Sequence, residues 1–126
     1  MESYLGGWTF AEDFIQKKAQ LKTINDMYKA KTGMNLDGIS MEGFTTLFVA
    51  ADAFNRAKDL SPDAVRDALA TTELEIETLP GKGVKFDENG QNIWIDSTMS
   101  QIQKGEYKVV CPQEWATTTL TWGVRP

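Results

Sequence analysis

Several side chains in this chain of 126 residues have types and spacings that chemistry uses. Asp63 with Asp67, and Glu73 with Glu75 and Glu77, are spaced as paired carboxylates, the arrangement used in general acid–base work. Both groups read more simply as solubility devices, the first on an exposed helix face and the second on a solvated connection. Asp87-Glu88-Asn89-Gly90 offers oxygen ligands at positions 87, 89 and 91, as a calcium loop does. Such a loop needs glycine at 92 and a closing glutamate at 98, where this chain has Asn92 and Thr98, so a plain turn is expected. Gly81-Lys82-Gly83 has a phosphate-loop flavour, but a strand pattern follows it where a phosphate loop opens onto a helix. Four tryptophans and six phenylalanines are enough to line a sugar or aromatic pocket. Phe44, Phe48 and Phe54, however, recur at helical spacing and read as core.

The composition excludes more chemistry than it suggests. The chain has no histidine, which removes His-based triads, His general bases and His metal ligands. Cys111 is the single cysteine and lies in the apolar run Val109-Val110-Cys111, so it reads as a small buried hydrophobe, not a nucleophile. No metal site, no cofactor and no enzymatic activity are expected. A net charge of −5 without a basic cluster argues against a nucleic-acid partner, since phosphates are met by gathered Lys and Arg. Lys17, Lys18 and Lys22 come nearest to a patch and read as the solvated side of a helix. No apolar run is long enough for a transmembrane helix, and MESYLGGWTFAEDF lacks the basic and apolar regions of a signal peptide.

These residues must be positioned by helices in the first part of the chain, to about residue 80, and by strands from about 81 to 126, within a single domain or fragment. Phe14, Ile15, Leu21, Ile24, Met27 and Tyr28 recur at three- and four-residue steps, which predicts a one-sided helix from about Ala11 to Thr32. Lys29 and Lys31 followed by Gly33 should end it. After Met34-Asn35-Leu36-Asp37-Gly38, Ser40 is placed to cap a second helix, with Glu42 complementing its positive end. That helix carries Phe44, Leu47, Phe48, Ala51 and Phe54 and is apolar around most of its circumference, the pattern of a central, buried element. Ser61-Pro62-Asp63 starts a third, short helix with Val65, Ala68 and Leu69 on its apolar stripe. The period then changes to two. Val84 and Phe86 pair across the turn 87–90 with Ile93 and Ile95, and 100–103 pair across Lys104-Gly105-Glu106 with 107–110, while Pro112 ends the last strand. Trp115, Leu120 and Trp122 predict a packed, extended tail.

In order along the chain, Tyr28-Lys29-Ala30-Lys31-Thr32-Gly33, the stretch AADAFNRA from Ala50 to Ala57, Ser61 to Leu69, and Gln101 to Pro112 resemble the C-terminal portion of a type I periplasmic solute-binding protein, the branched-chain amino acid ABC-transporter substrate-binding family. Gly83-Val84-Lys85-Phe86-Asp87-Glu88-Asn89-Gly90 is similar to that family's G-x-x-F-D-x-x-G segment. The resemblance runs from about Leu21 onward. It implies an α/β fold class, the C-terminal segment of a type I periplasmic-binding-protein-like fold with helices first and short strands and hairpins after.

The resemblance also implies a function: the substrate-binding component, or a C-terminal fragment of one, of an importer for branched-chain amino acids or related small polar solutes. Such receptors close two lobes of parallel sheet on the ligand and dock on an ABC permease, in the periplasm or another extracytoplasmic space. On this likeness the start of the second helix faces the cleft, Ser40 donates to a ligand oxygen, Glu42 pairs with an ammonium group, and Trp8 lies at the rim of the second lobe. The lobes that precede this segment in the family are not in the chain. Its apolar helix faces then lack partners and favour a homodimer. The other expectation, from a different class, is a stand-alone interaction or sensor domain of the same fold that dimerises or holds a protein partner.

Overall fold

The computed structural model describes residues 5–8 and 12–122. Its elements are β1 (Leu5–Trp8), a 3-10 helix (Glu12–Lys17), α1 (Ala19–Thr32), α2 (Gly38–Arg56), α3 (Pro62–Ala70), β2 (Glu73–Glu75), β3 (Gly83–Lys85), β4 (Thr98–Gln103) and β5 (Glu106–Cys111). This is the α/β mix expected, helices first and short strand pairs after, with β1 added inside the N-terminal part. Every strand pairing among the described residues is antiparallel: β1, β4 and β5 form one sheet with β4 in the middle, and β2 and β3 form another.

The long helix expected from Ala11 is broken. Lys18 is extended, with φ −127° and ψ 124°, and separates the 3-10 turns from α1. Phe14 and Ile15 on the 3-10 segment and Leu21 on α1 are still buried together, because the break lets both pieces wrap one core with Leu36, Met41, Val109 and Trp115. At the other end of α1, Gly33 takes the left-handed conformation, φ 78°, and its N–H reaches the Lys29 carbonyl at 2.9 Å, so the expected stop is where the sequence places it. Asn25, buried on α1, receives the Leu36 N–H at 2.8 Å and donates to Asn35 at 3.2 Å, which fixes the link to α2.

Lys18 contributes no side-chain cap to α1. The cap comes instead from 57 residues further along the chain: the Glu77 carboxylate accepts the Gln20 N–H at 3.1 Å, and the Glu77 N–H donates to Gln20 Oε1 at 3.2 Å. A carboxylate at the positive end of a helix satisfies an orphan donor and meets the dipole favourably. The solvated connection expected over 73–77 is therefore a correction: Glu73–Glu75 is a strand and Glu77 is a helix cap. We expect Glu77→Ala to cost about 1 kcal/mol, the usual value of a lost cap. Amide exchange confined to the first turn of α1 checks it, and unchanged exchange there would count against the assignment.

In α2 the cap is Asp37, whose Oδ1 accepts the Ser40 N–H at 2.8 Å, so Ser40 lies inside the first turn and is not the capping residue. The buried stripe of α2 is Met41, Thr45, Val49 and Ala53. Leu47, Phe48 and Phe54 are 63%, 40% and 52% exposed, and Phe44 alone of the expected aromatic core is drawn in, partly buried against the main cluster. The reading of Phe48 and Phe54 as core in a central, buried helix is thus corrected. Leu21, Ile24 and Tyr28 of α1 pack with Met41 and Phe44, α3 and Thr78 also contact α2, and Leu47 and Phe54 on its other side stay exposed. Thr45 ties the buried side to Thr78 through a hydroxyl pair at 2.8 Å, and Arg56 ties its end to Asp52 at 2.6 Å and to Thr71 and Thr72. The third helix starts as expected, with Ser61 Oγ accepting the Ala64 N–H and Pro62 in its first turn.

Gly81 and Gly83 have a packing role. A Cβ on Gly81 would come within 2.1 Å of the Trp94 carbonyl oxygen, and one on Gly83 within 2.2 Å of the Leu74 oxygen. Both have φ in the region only glycine visits freely, 103° and 142°. The backbones of 80–86 and 92–96 are thereby laid close together, bridged at Gly81 to Ile95 and Phe86 to Asn92. The expected pairing across the turn exists only as these bridges, while β3 forms its ladder with β2. Asp87 caps its own turn, its Oδ1 accepting the Asn89 and Gln91 N–H groups at 2.9 Å each.

The β4–β5 hairpin is as expected, turning on Lys104 and Gly105, both with positive φ. Val109 and Val110 are both buried, but Cys111 at the strand end is exposed, which corrects its reading as a buried hydrophobe. The tail packs through Trp115 and is held by Gln101 and Gln103, which donate to the Thr121 and Thr119 carbonyls at 2.7 and 2.9 Å. Trp122 stands exposed, outside that packing.

Candidate functional site

Two places gather the side chains of interest. The first is the N-terminus of α2. Its amides sit behind Asp37, and Ser40 Oγ lies 3.5 Å from the Tyr28 hydroxyl, which comes from the last turns of α1. Tyr28 is held edge-on to Phe44, with ring centroids 6.4 Å apart. Glu42 is exposed, and its carbonyl accepts from Thr46. Ser40 and Glu42 are two positions apart on one helix and so diverge around its axis. Trp8 is placed in β1 opposite Thr98, on the sheet away from α2 in sequence; its side chain lies outside the described residues.

The Ser40 N–H, first among its causes, holds the Asp37 carboxyl below its ordinary value of 3.8. A carboxylate depressed in the fold stabilises the native state above its unfolded pKa, and that stabilisation is lost as pH falls through the folded value. The first turn of α2 is therefore expected to loosen below about pH 3.8, seen as faster exchange of the Ser40 amide. Asp37→Asn, which caps without titrating, should remove that pH dependence.

The second place is an open cleft of about 480 Å³ between the two parts of the chain. Its walls include Trp94 and Trp115, with carboxylates from Glu75, Glu77, Asp96 and Glu114 around them. Lys82 Nζ stands 4.2 Å above the Trp94 ring and pairs with Glu75 at 2.7 Å; Lys18 Nζ stands 4.5 Å above the Trp115 ring. Trp115 Nε1 donates to Asp96 Oδ2 at 2.9 Å, which sets the ring's orientation. Lys18 reaches that ring because it is the extended residue between the 3-10 helix and α1, so it is not merely the solvated side of a helix. Reasoning from sequence missed this cleft. Only the cross-hairpin approach of Lys82 and Trp94 had a local signal, the glycines at 81 and 83.

The acidic pairs considered from sequence do not form a reaction centre. Asp63 and Asp67 both face Arg66 in solvent, at 3.1 and 3.7 Å. Glu73 and Glu75 pair with Lys85 and Lys82. Among the described residues no group of carboxylates and thiols could hold a metal ion, and no helix is long and apolar enough to cross a membrane.

What these places offer is binding chemistry on a partial α/β segment, hydroxyls and carboxylates at a helix start and indole faces in a cleft. The chain is 30% identical over 102 residues to Leu/Ile/Val-binding protein homolog 7 of Brucella abortus (strain 2308), a match that covers 79% of this chain and 26% of that protein. The homolog 7 of Brucella suis biovar 1 (strain 1330) matches to the same extent, and that of Brucella melitensis biotype 1 at 29% identity. No family model matches. The chain thus matches a C-terminal portion of a branched-chain amino acid binding protein, and it spans about a quarter of the length of the curated relatives.

Proposed function

We propose that the chain is the C-terminal portion of the substrate-binding component of an ABC importer, which holds branched-chain amino acids or related small polar solutes without catalysis. It works outside the cytoplasmic membrane and hands its ligand to the permease. The observation that carries this reading is the likeness over 102 residues to relatives named as Leu/Ile/Val-binding proteins.

The reading extends to the start of α2. Asp37 already occupies the Ser40 N–H and brings a negative charge to the helix start, so this end of α2 is poorly suited to a ligand carboxylate and well suited to an ammonium. Asp37 would receive that ammonium in place of Glu42, which diverges from Ser40 around the helix, Ser40 and Tyr28 would donate hydroxyls to ligand oxygens, and Trp8 would stand at the rim. Calorimetric titration of the full natural gene product with leucine, isoleucine and valine tests it. Saturable binding of one of them, weakened by Asp37→Asn, which keeps the cap and removes the charge, is the expected result.

A second reading, self-association as an interaction domain, is favoured by one observation, the exposed apolar side of α2 carrying Leu47, Phe48 and Phe54. No binding of the three amino acids, with a natural product of this chain's own length running as a dimer, would select it instead.

A further inference from the structure

We propose that the cleft between Trp94 and Trp115 is a separate site for a small alkylammonium ion, which is taken on the Trp115 face in place of Lys18. The inference stands on the cleft alone and does not depend on what the α2 end binds.

Three features of the cleft converge on a cation. First, four carboxylates line it against two ammonium groups, so the field in the opening attracts positive charge and repels the carboxylate of an amino acid. Second, the Trp115 indole is prepared as a cation platform. It is 8% exposed, braced edge-on by Phe14 at a centroid distance of 5.8 Å, and locked by its hydrogen bond to Asp96, which raises the electron density of the ring. Third, the chain already places its own ammonium there, at 4.5 Å from the ring centroid.

Lys18 is a replaceable occupant. Its ammonium makes no ion pair or hydrogen bond with the described residues, only the contact with the indole. A primary ammonium is strongly hydrated, and holding a lysine side chain over a ring costs rotamer freedom. A methylated ammonium is less hydrated, gains more from an indole face, and brings no tether to immobilise. Beside the ring, Glu114 is exposed and lines the cleft, where its carboxylate can meet the incoming charge. Lys82, by contrast, is clamped to Glu75 and keeps Trp94 as a fixed wall.

Choline is a suitable probe, with 3,3-dimethyl-1-butanol as its uncharged isostere. Fluorine NMR of the full natural product carrying 5-fluorotryptophan reads the site directly, the Trp94 and Trp115 signals being assigned by their loss in Trp94→Phe and Trp115→Phe. Choline should shift both signals saturably and the alcohol should not. Lys18→Ala should tighten choline binding about five-fold, the equivalent of the roughly 1 kcal/mol that an exposed cation–π contact is worth. Glu114→Gln should weaken it. Equal response to the alcohol, no saturable shift, an affinity unchanged by Lys18→Ala, or competitive displacement of choline by leucine would each overturn the proposal.

Discussion

Phe14→Ala is expected to lower stability by about 3–5 kcal/mol, the range for truncating a buried aromatic ring. Against a total of about 5–15 kcal/mol for a domain, that brings the chain close to unfolding at room temperature. Phe14 is fully buried and joins parts of the chain distant in sequence: the 3-10 segment that carries it, Leu21 of α1, Met41 of α2, Val109 of β5 and Trp115 of the tail. Its ring meets Trp115 at 71°, an edge-on geometry worth about 0.5–1.5 kcal/mol beyond area burial. The cavity left by alanine cannot be filled easily, because its neighbours belong to separate elements that would all have to shift. Urea denaturation followed by far-UV dichroism gives the cost, and near-UV dichroism reports Trp115. Phe14→Leu, which keeps much of the volume, should cost clearly less. A midpoint unchanged in Phe14→Ala would mean that the core does not converge on this ring.

What could be read from the sequence follows how local each signal is. The stop of α1 at Gly33, the start of α3 at Ser61 and the β4–β5 turn rest on a few adjacent residues, and all three are where those residues place them. The start of α2 is different. Asp37 and Ser40 are both capping types three positions apart, and the choice is made by the extended backbone of Asp37, ψ 177°, which composition does not reveal. β2 was missed because Glu73-Leu74-Glu75 is short and mostly charged; it exists because Gly83 lets the 83–85 backbone approach Leu74. The capping of α1 by Glu77 spans 57 residues and has no local trace. The same holds for the cleft, whose residues come from positions 18 to 115 and meet only in the fold. On α2 the apolar pattern points to a central, buried helix, and the chain covers only one side of it, since a helix that is apolar all round does not say what covers each side.

That open side of α2 gives the last expectation. No charged residue stands between Glu42 and Asp52, and Leu47 and Phe54 face outward at 63% and 52% exposure. In the 126-residue chain alone, Leu47→Asp and Phe54→Asp should change stability by no more than about 0.5 kcal/mol each, as surface substitutions do. Phe48→Asp, on a half-buried ring, should cost more than these but less than Val49→Asp, which puts an unpaired charge on the buried stripe and should unfold the chain. The full natural product should behave differently if the remainder of a binding protein packs on this side. There, Leu47→Asp and Phe54→Asp bury an uncompensated charge and should cost about 3–5 kcal/mol, as when a buried charge loses its partner. Paired denaturation curves of the short and full-length proteins carry the comparison. A large loss in both would show that α2 is already covered on this side within the chain. A small loss in both would show that the remainder of the protein leaves the face open, and would favour the self-associating reading.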